Sequence, residues 1–543
     1  MPGKEFAPFL KSVFRTGRGA KARKRSDMYA DIYTQTTFAE AFQLALTRRP
    51  DRVAMTYDGQ SITYRELQER INRSVRAMQG LGLKRGDTVA HLSGNSPAPI
   101  VTWVSCAVLG LRYTPLHPMG TADADAFIFR KARVRAVVAD AAGYPERSKI
   151  AFEGDNGVEF LLDIGDAGTG TDFNALCAAQ DSEPVKVMAV PDDVIAIFFT
   201  GGTTGEPKGV MHASQSLVAC GMMGSDNDWP PDIQFYAATP ISHALGYLVL
   251  PILMRGGTLH LRAGFSPRDF CDSIESGTVN SAFMVPTMIY GILDMPGIED
   301  VDFSNLAMIL YGAAPITAQR LNEALRRFGP VLVQGYAQTE APVTLVILNK
   351  ESHKGKTLGS CGLPLVGNTV KILDENCNEL AAGERGEICI RGPLVMKGYL
   401  DNPEETEKAF RGGWLHTGDI GYQDEQGYLF VVDRLKDMII SGGFNVYPKE
   451  VEDSAARHPA IAEVAVIGVS DAHWGEAVTA VVSLRRGHSA TAEEIISAVK
   501  GEIGAVNAPK KVHFMDGPLP QTPLGKPDKK ELRRLFEQDT PDR

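Results

Sequence analysis

Apolar residues recur along the chain at two spacings. Leu67, Ile71, Val75 and Met78 keep helical spacing behind Thr63-Tyr64-Arg65-Glu66, which has the form of a capping box, and Gly80 and Gly82 end the run. This pattern predicts a helix packed by one face. A second capping box, Thr491-Ala492-Glu493-Glu494, predicts another helix near the C-terminus. Ile100 to Leu111 is apolar around its whole circumference, interrupted only by Thr102, Ser105 and Gly110. It is too short to span a bilayer and reads as a buried helix. Short strand-like runs, Val194 to Thr200, Val331 to Gln334 and Glu387 to Arg391, alternate with such helices, which predicts an α/β architecture of sheets covered by helices. No internal repeat or low-complexity tract is visible.

The pattern changes at Asp433-Arg434-Leu435-Lys436-Asp437, a charged segment between the strand-like Gly427 to Val432 and the apolar Met438-Ile439-Ile440. Beyond it, strand-like Glu463 to Val469 and Ala477 to Leu484 with the helix opened by Thr491 compose a small α+β module able to fold by itself. At 543 residues the chain is too long for one compact core, so two or more domains are expected. A net charge of −10 without a dominant basic face argues against a nucleic-acid binder. Seven cysteines without any C-x-x-C pair read as buried free thiols in a reducing compartment. Residues 1–35 carry Lys11, Arg15, Arg18, Lys21, Arg23, Lys24 and Arg25 where a signal peptide would be apolar, so a basic arm and a cytoplasmic protein are expected. No transmembrane segment is expected either.

Phe198-Phe199-Thr200-Gly201-Gly202-Thr203-Thr204-Gly205-Glu206-Pro207-Lys208-Gly209-Val210 adds the chemistry: an apolar strand runs into a loop of Gly, Thr and one Lys. Small residues let backbone N–H groups approach anionic oxygens, Thr hydroxyls add donors and Lys supplies charge, so the loop is suited to phosphate. It is not a Walker loop, because Glu206 and Pro207 separate Gly205 from Lys208. No Gly-x-Ser-x-Gly elbow and no His/Cys metal-ligand spacing is visible.

This loop resembles the signature of the adenylate-forming superfamily, and further motifs follow in that family's order from about residue 35 to the end. The match is closest to the branch of acyl-CoA synthetases acting on fatty or aryl acids. The resemblance implies a large N-terminal domain of helix-covered β-sheets (36–433) and a small mobile α+β C-terminal lid (434–543), with a hinge at Lys436. It implies ATP, Mg²⁺ and coenzyme A as cofactors. Thr200, Gly201, Gly202, Thr203, Thr204, Gly205 and Lys208 would handle the β- and γ-phosphates. In Gln334-Gly335-Tyr336-Ala337-Gln338-Thr339-Glu340 the aromatic ring would stack on adenine, Thr339 would contact the α-phosphate and Glu340 would hold Mg²⁺.

Tyr311-Gly312-Ala313-Ala314-Pro315 resembles the turn against adenine and the acyl group, with Tyr311 expected to narrow the acyl pocket. Asp419, in Trp414-Leu415-His416-Thr417-Gly418-Asp419, would receive the ribose hydroxyls, and Arg434 would reach nucleotide oxygens. Lys526, in Pro520-Gln521-Thr522-Pro523-Leu524-Gly525-Lys526, would bridge the substrate carboxylate and α-phosphate. His243 resembles the gate beside the acyl carbonyl, and Gly442 and Gly443 resemble the segment lining the pantetheine tunnel.

Between Phe235 and Leu261 there is no Asp or Glu, so an ammonium-bearing substrate would bury its charge unpaired. The implied substrate is therefore a hydrophobic carboxylic acid. The segment Asp437 to Glu452 resembles CoA-using relatives; an acyl-acceptor protein is the alternative, and a homodimer is compatible with the family.

Overall fold

The computed structural model describes residues 36–152, 156–165, 167–200, 206–225, 227–471, 473–521 and 527–537. The expected helix runs over Tyr64–Gly80, with Thr63 and Glu66 closing the capping box and Leu67, Ile71, Val75 and Met78 buried. The second capping box opens Ala492–Ile503, and a third, Thr37 with Glu40, opens Phe38–Thr47. The apolar run folds as Pro97–Leu109, capped by Ser96 and stopped by Gly110 in the left-handed region.

Two large sheets dominate the described residues. The nine-stranded sheet has a parallel centre in the order Leu332–Gln338, Met308–Gly312, Ser281–Met284, Gln234–Ala237, Thr258–Leu261, Val53–Tyr57, and antiparallel strands at both edges. The eight-stranded sheet places Val194–Thr200 between Arg112–Pro115, its parallel neighbour, and Lys208–Ala213, its antiparallel one. Strand alternation decides which core each residue joins. Met308 and Leu310 join residues of both sheets and the helices Phe38–Thr47, Pro97–Leu109 and Ala244–Met254 in one large core, while Ile309 and Tyr311 face a second core with Phe270, Ile274 and Ile289. Ala90, Leu92 and Val137 face a third core with Phe129. Both large sheets are thus covered on both faces, as parallel strands require.

A four-stranded antiparallel sheet follows, in the order Thr369–Leu373, Gly386–Arg391, Leu415–Gln423, Leu429–Arg434. Leu435–Asp437 forms one 3₁₀ turn, and Ile439–Ser441 then begins the sheet of the small C-terminal domain, whose longest hairpin is Ile461–Asp471 with Gly475–Leu484. That domain has its own apolar clusters, around Val466 and Val478 on one face and Ala465 and Ile467 on the other. Among the described residues no helix is long and apolar enough to cross a membrane.

Candidate active site

Side by side in the nine-stranded sheet, Met308–Gly312 and Leu332–Gln338 set Gly312 opposite Gly335. A Cβ on Gly312 would stand 2.3 Å from the Gly335 carbonyl oxygen, so only glycine allows the strands to approach here. The next residue, Ala313, holds φ at +64°, a costly conformation for a side chain with a Cβ and one that concentrates at functional sites. Ala314 completes the turn.

Past Gly335, Tyr336 reaches across to the four-stranded sheet. Its hydroxyl donates to Asp419 Oδ2 at 2.7 Å, and Arg434 Nε lies 3.2 Å from Asp419 Oδ1. Burial and the adjoining carboxylate raise the Tyr336 hydroxyl's pKa well above its ordinary value, so it remains a donor. Asp419 itself is 6% exposed and is aimed by a bulge: Gly418 adopts φ +69° and its N–H donates to Glu387 Oε1 at 3.0 Å.

Thr339 and Glu340 form the turn joining Leu332–Gln338 to Ala341–Leu348, where Gln338 pairs with Ala341. Tyr399 donates its hydroxyl to Glu340 Oε1 at 2.9 Å, and Met396 N–H donates to the Glu340 carbonyl at 2.8 Å. Lys208 lies over the Tyr399 ring, 5.1 Å from its centroid, and pairs with Glu405. The hairpin register sets Thr200 opposite Lys208, so both ends of the phosphate loop are held by the eight-stranded sheet. Gly201, Gly202, Thr203, Thr204 and Gly205 lie outside the described residues, as does Lys526; the residues flanking the latter pair Gln521 with Pro527.

His243 stands at the N-terminus of Ala244–Met254, and its ring meets that of His117 edge-on with centroids 4.5 Å apart. Burial, then the neighbouring His117, pull the His243 pKa down to about 4, so the pair is neutral at pH 7. Arg147 fixes the His117 segment by donating to the carbonyls of His117 (2.9 Å) and Pro118 (2.8 Å) while holding Asp125 with both ends of its fork.

One expectation changes. Tyr311 is fully buried in the second core, and its hydroxyl is 3.1 Å from both Gln334 Oε1 and His353 Nε2, so it supports the strand instead of narrowing an acyl pocket. Gly442 and Gly443 make the left-handed two-residue turn between Ile439–Ser441 and Phe444–Val446, with Gly442 N–H donating to the Trp474 carbonyl at 2.8 Å. Phe444 and Ile440 beside them are more than half exposed. The structure therefore brings together Tyr336, Asp419 and Arg434, and separately Glu340 with Tyr399 and Lys208. Sequence reasoning missed Tyr399, Glu405, Glu387, His117 and Arg147. No local signal marked them, because each meets its partner only through strand pairing or loop packing.

Comparison with known proteins identifies the family. Residues 42–400 match the AMP-binding enzyme family and residues 450–526 the AMP-binding enzyme C-terminal domain. A medium/long-chain-fatty-acid–CoA ligase of Mycobacterium tuberculosis is 39% identical over 507 residues, covering 91% of this chain and 89% of that protein. A feruloyl-CoA synthase of Amycolatopsis is 35% identical over 500 residues, covering 90% and 96%. The solved structure of the amide bond synthetase McbA from Marinactinospora thermotolerans superposes with a TM-score of 0.84 at 31% identity, covering 92% and 100%. The chain belongs to the AMP-binding enzyme family, in the acyl-CoA synthetase branch of the adenylate-forming superfamily.

Proposed function

We propose that this protein activates a hydrophobic carboxylic acid with ATP to an acyl-adenylate, releasing pyrophosphate, and transfers the acyl group to coenzyme A. The observation that carries the reading is the buried Asp419, aimed by a bulge and shared by Tyr336 and Arg434, within a chain whose relatives are acyl-CoA ligases. A carboxylate accepting from these two donors is already oriented to accept from a pair of ribose hydroxyls. Glu340 offers a hard oxygen fitted to Mg²⁺, oriented by Tyr399, and the ion when bound would neutralise phosphate charge. Lys208, held by Glu405 and Tyr399, is placed to exchange that carboxylate for a phosphate as the loop fills. The neutral His243–His117 pair adds no cation at the acyl end, and Leu245 and Leu248 behind it are buried and apolar. This favours an uncharged, apolar acyl group.

In this reading residues 434–543 form a lid hinged at Lys436, which lies in the single 3₁₀ turn between two sheets. Lys526 bridges the acid and the α-phosphate during adenylation. The direct test is pyrophosphate release across fatty, aryl and alicyclic acids, with and without CoA, following acyl-AMP and acyl-CoA by mass. Acyl-CoA from one acid class establishes the ligase; acyl-AMP alone assigns the second step to another acceptor, such as an acyl-acceptor protein. Lys526→Ala is expected to lower adenylation by roughly two to three orders of magnitude while sparing thioester formation from supplied acyl-AMP. Equal loss of both steps contradicts its role. Lys436→Pro should harm acyl transfer more than adenylation, and unchanged transfer removes the hinge.

A further inference from the structure

The spacing of cysteines and histidines in the sequence shows no metal site, yet strand pairing gathers three ligand-bearing side chains beside the bulge that aims Asp419. We propose that Glu387, Cys389 and His416 form a binding site for a borderline-soft divalent cation, zinc foremost, that clamps the bulge aiming Asp419. Cys389 on Gly386–Arg391 lies directly opposite His416 on Leu415–Gln423, and the register shifts between Glu387 and Cys389. That shift, with Gly418 in the left-handed region, lets Glu387 reach the same imidazole. Glu387 Oε2 lies 2.7 Å and Cys389 Sγ 3.4 Å from His416 Nδ1, and all three ligand atoms fall within 4.8 Å of one another. Tetrahedral coordination at about 2.0–2.3 Å sets ligand atoms roughly 3.3–3.6 Å apart, so small side-chain shifts admit the ion. Cys389 is fully buried, and the His416 and Glu387 side chains are 7% and 13% exposed.

The hydrogen bonds decide which nitrogen faces the site. His416 Nε2 lies 3.0 Å from the Arg411 carbonyl, which can only accept, so Nε2 carries a hydrogen and Nδ1 is the nitrogen left to face the site. Nδ1 faces the Glu387 carboxylate oxygen, so a positive centre joins the two, a proton on Nδ1 when the site is empty and the metal ion when it is filled. A carbonyl on the far nitrogen is how metal-binding histidines are commonly oriented. One thiolate, one imidazole and one carboxylate suit Zn²⁺, with water in the fourth position. Cys377 Sγ, 3.8 Å from Nε2, lies on the other ring nitrogen and is not a ligand. Binding displaces the Cys389 thiol proton and the His416 Nδ1 proton to solvent. Arg411, 3.8 Å from Glu387 Oε2 and 53% exposed, turns outward when the ion takes its place.

Cobalt(II) titration of the full, chelator-treated chain tests this without reference to turnover. Expected are one equivalent bound, a thiolate-to-cobalt charge-transfer band, its loss on adding one equivalent of zinc, its absence in Cys389→Ser and His416→Asn, and its retention in Cys377→Ser. Near-ultraviolet circular dichroism checks that the variants fold. A wild-type chain with no band, in which a proton alone joins His416 to Glu387, overturns the proposal, as does a band that survives Cys389→Ser. The wild-type titration decides by itself if the variants fail to fold.

Discussion

The Asp419 end and the His243 end of the site solve opposite electrostatic problems with the same means, burial. At Asp419 a negative charge is kept in a nearly closed position because Tyr336 and Arg434 both face it and a bulged backbone orients it. At His243 a group that is half charged near neutrality is kept neutral because burial and a second imidazole penalise its proton. A buried charge persists only with partners, and a titratable group without a counter-charge gives up its charge. In the proposed function the first end takes the ribose hydroxyls and the second the apolar acyl chain.

The strongest way to break this contrast is Asp419→Ala. Losing two hydrogen bonds to a charged acceptor, at about 1.5 kcal/mol each, should lower kcat/KM for ATP roughly 100-fold. The KM for the acid should stay within a few-fold; a matching rise would mean that the two ends are not separate. Tyr399→Phe is a milder probe of the polar end. Removing the hydroxyl that orients Glu340 should weaken apparent Mg²⁺ affinity about tenfold, read from the magnesium dependence of pyrophosphate release, and an unchanged dependence would detach Tyr399 from the metal.

The smallest expected effect concerns stability. The ordinary histidine pKa of 6.5 is depressed by burial to about 4 for His243 and His212 and to about 3 for His91. The unfolded chain takes up these protons first, so the stability they contribute is present above about pH 6.5 and is lost as pH falls from there toward 4. For each wholly buried imidazole, His91 and His212, the loss between pH 7 and 5 is on the order of 2 kcal/mol. Chemical denaturation at pH 7 and 5 should show this decline, and His117→Asn, which removes one cause of the His243 shift, should make it shallower. An equal decline in both proteins would show that His117 does not act on its neighbour.

The order of residues along the chain makes many of these elements legible. Helix Tyr64–Gly80 follows from Thr63, Glu66 and four apolar residues at local spacing, and strand Val194–Thr200 coincides with its apolar run. Gly312 and Asp419 stand out within motifs because close backbone approach and a bidentate acceptor each demand one residue type. Tyr311 misleads: period-two alternation turns it toward the outer helices, and which face a strand residue takes depends on the sheet's neighbours.

What the sequence by itself determined is therefore local: caps, periodicities, the phosphate loop, and the order of motifs that identifies the family. Tertiary structure alone decided the pairings, Tyr336 with Asp419, Tyr399 with Glu340, His117 with His243, and Glu387 with Cys389 and His416. The physical reason is that helix and turn signals act over a few residues through backbone sterics and hydrogen bonding, whereas these contacts join distant strands and loops whose proximity is settled only by the register of the sheets and the packing of their shared cores.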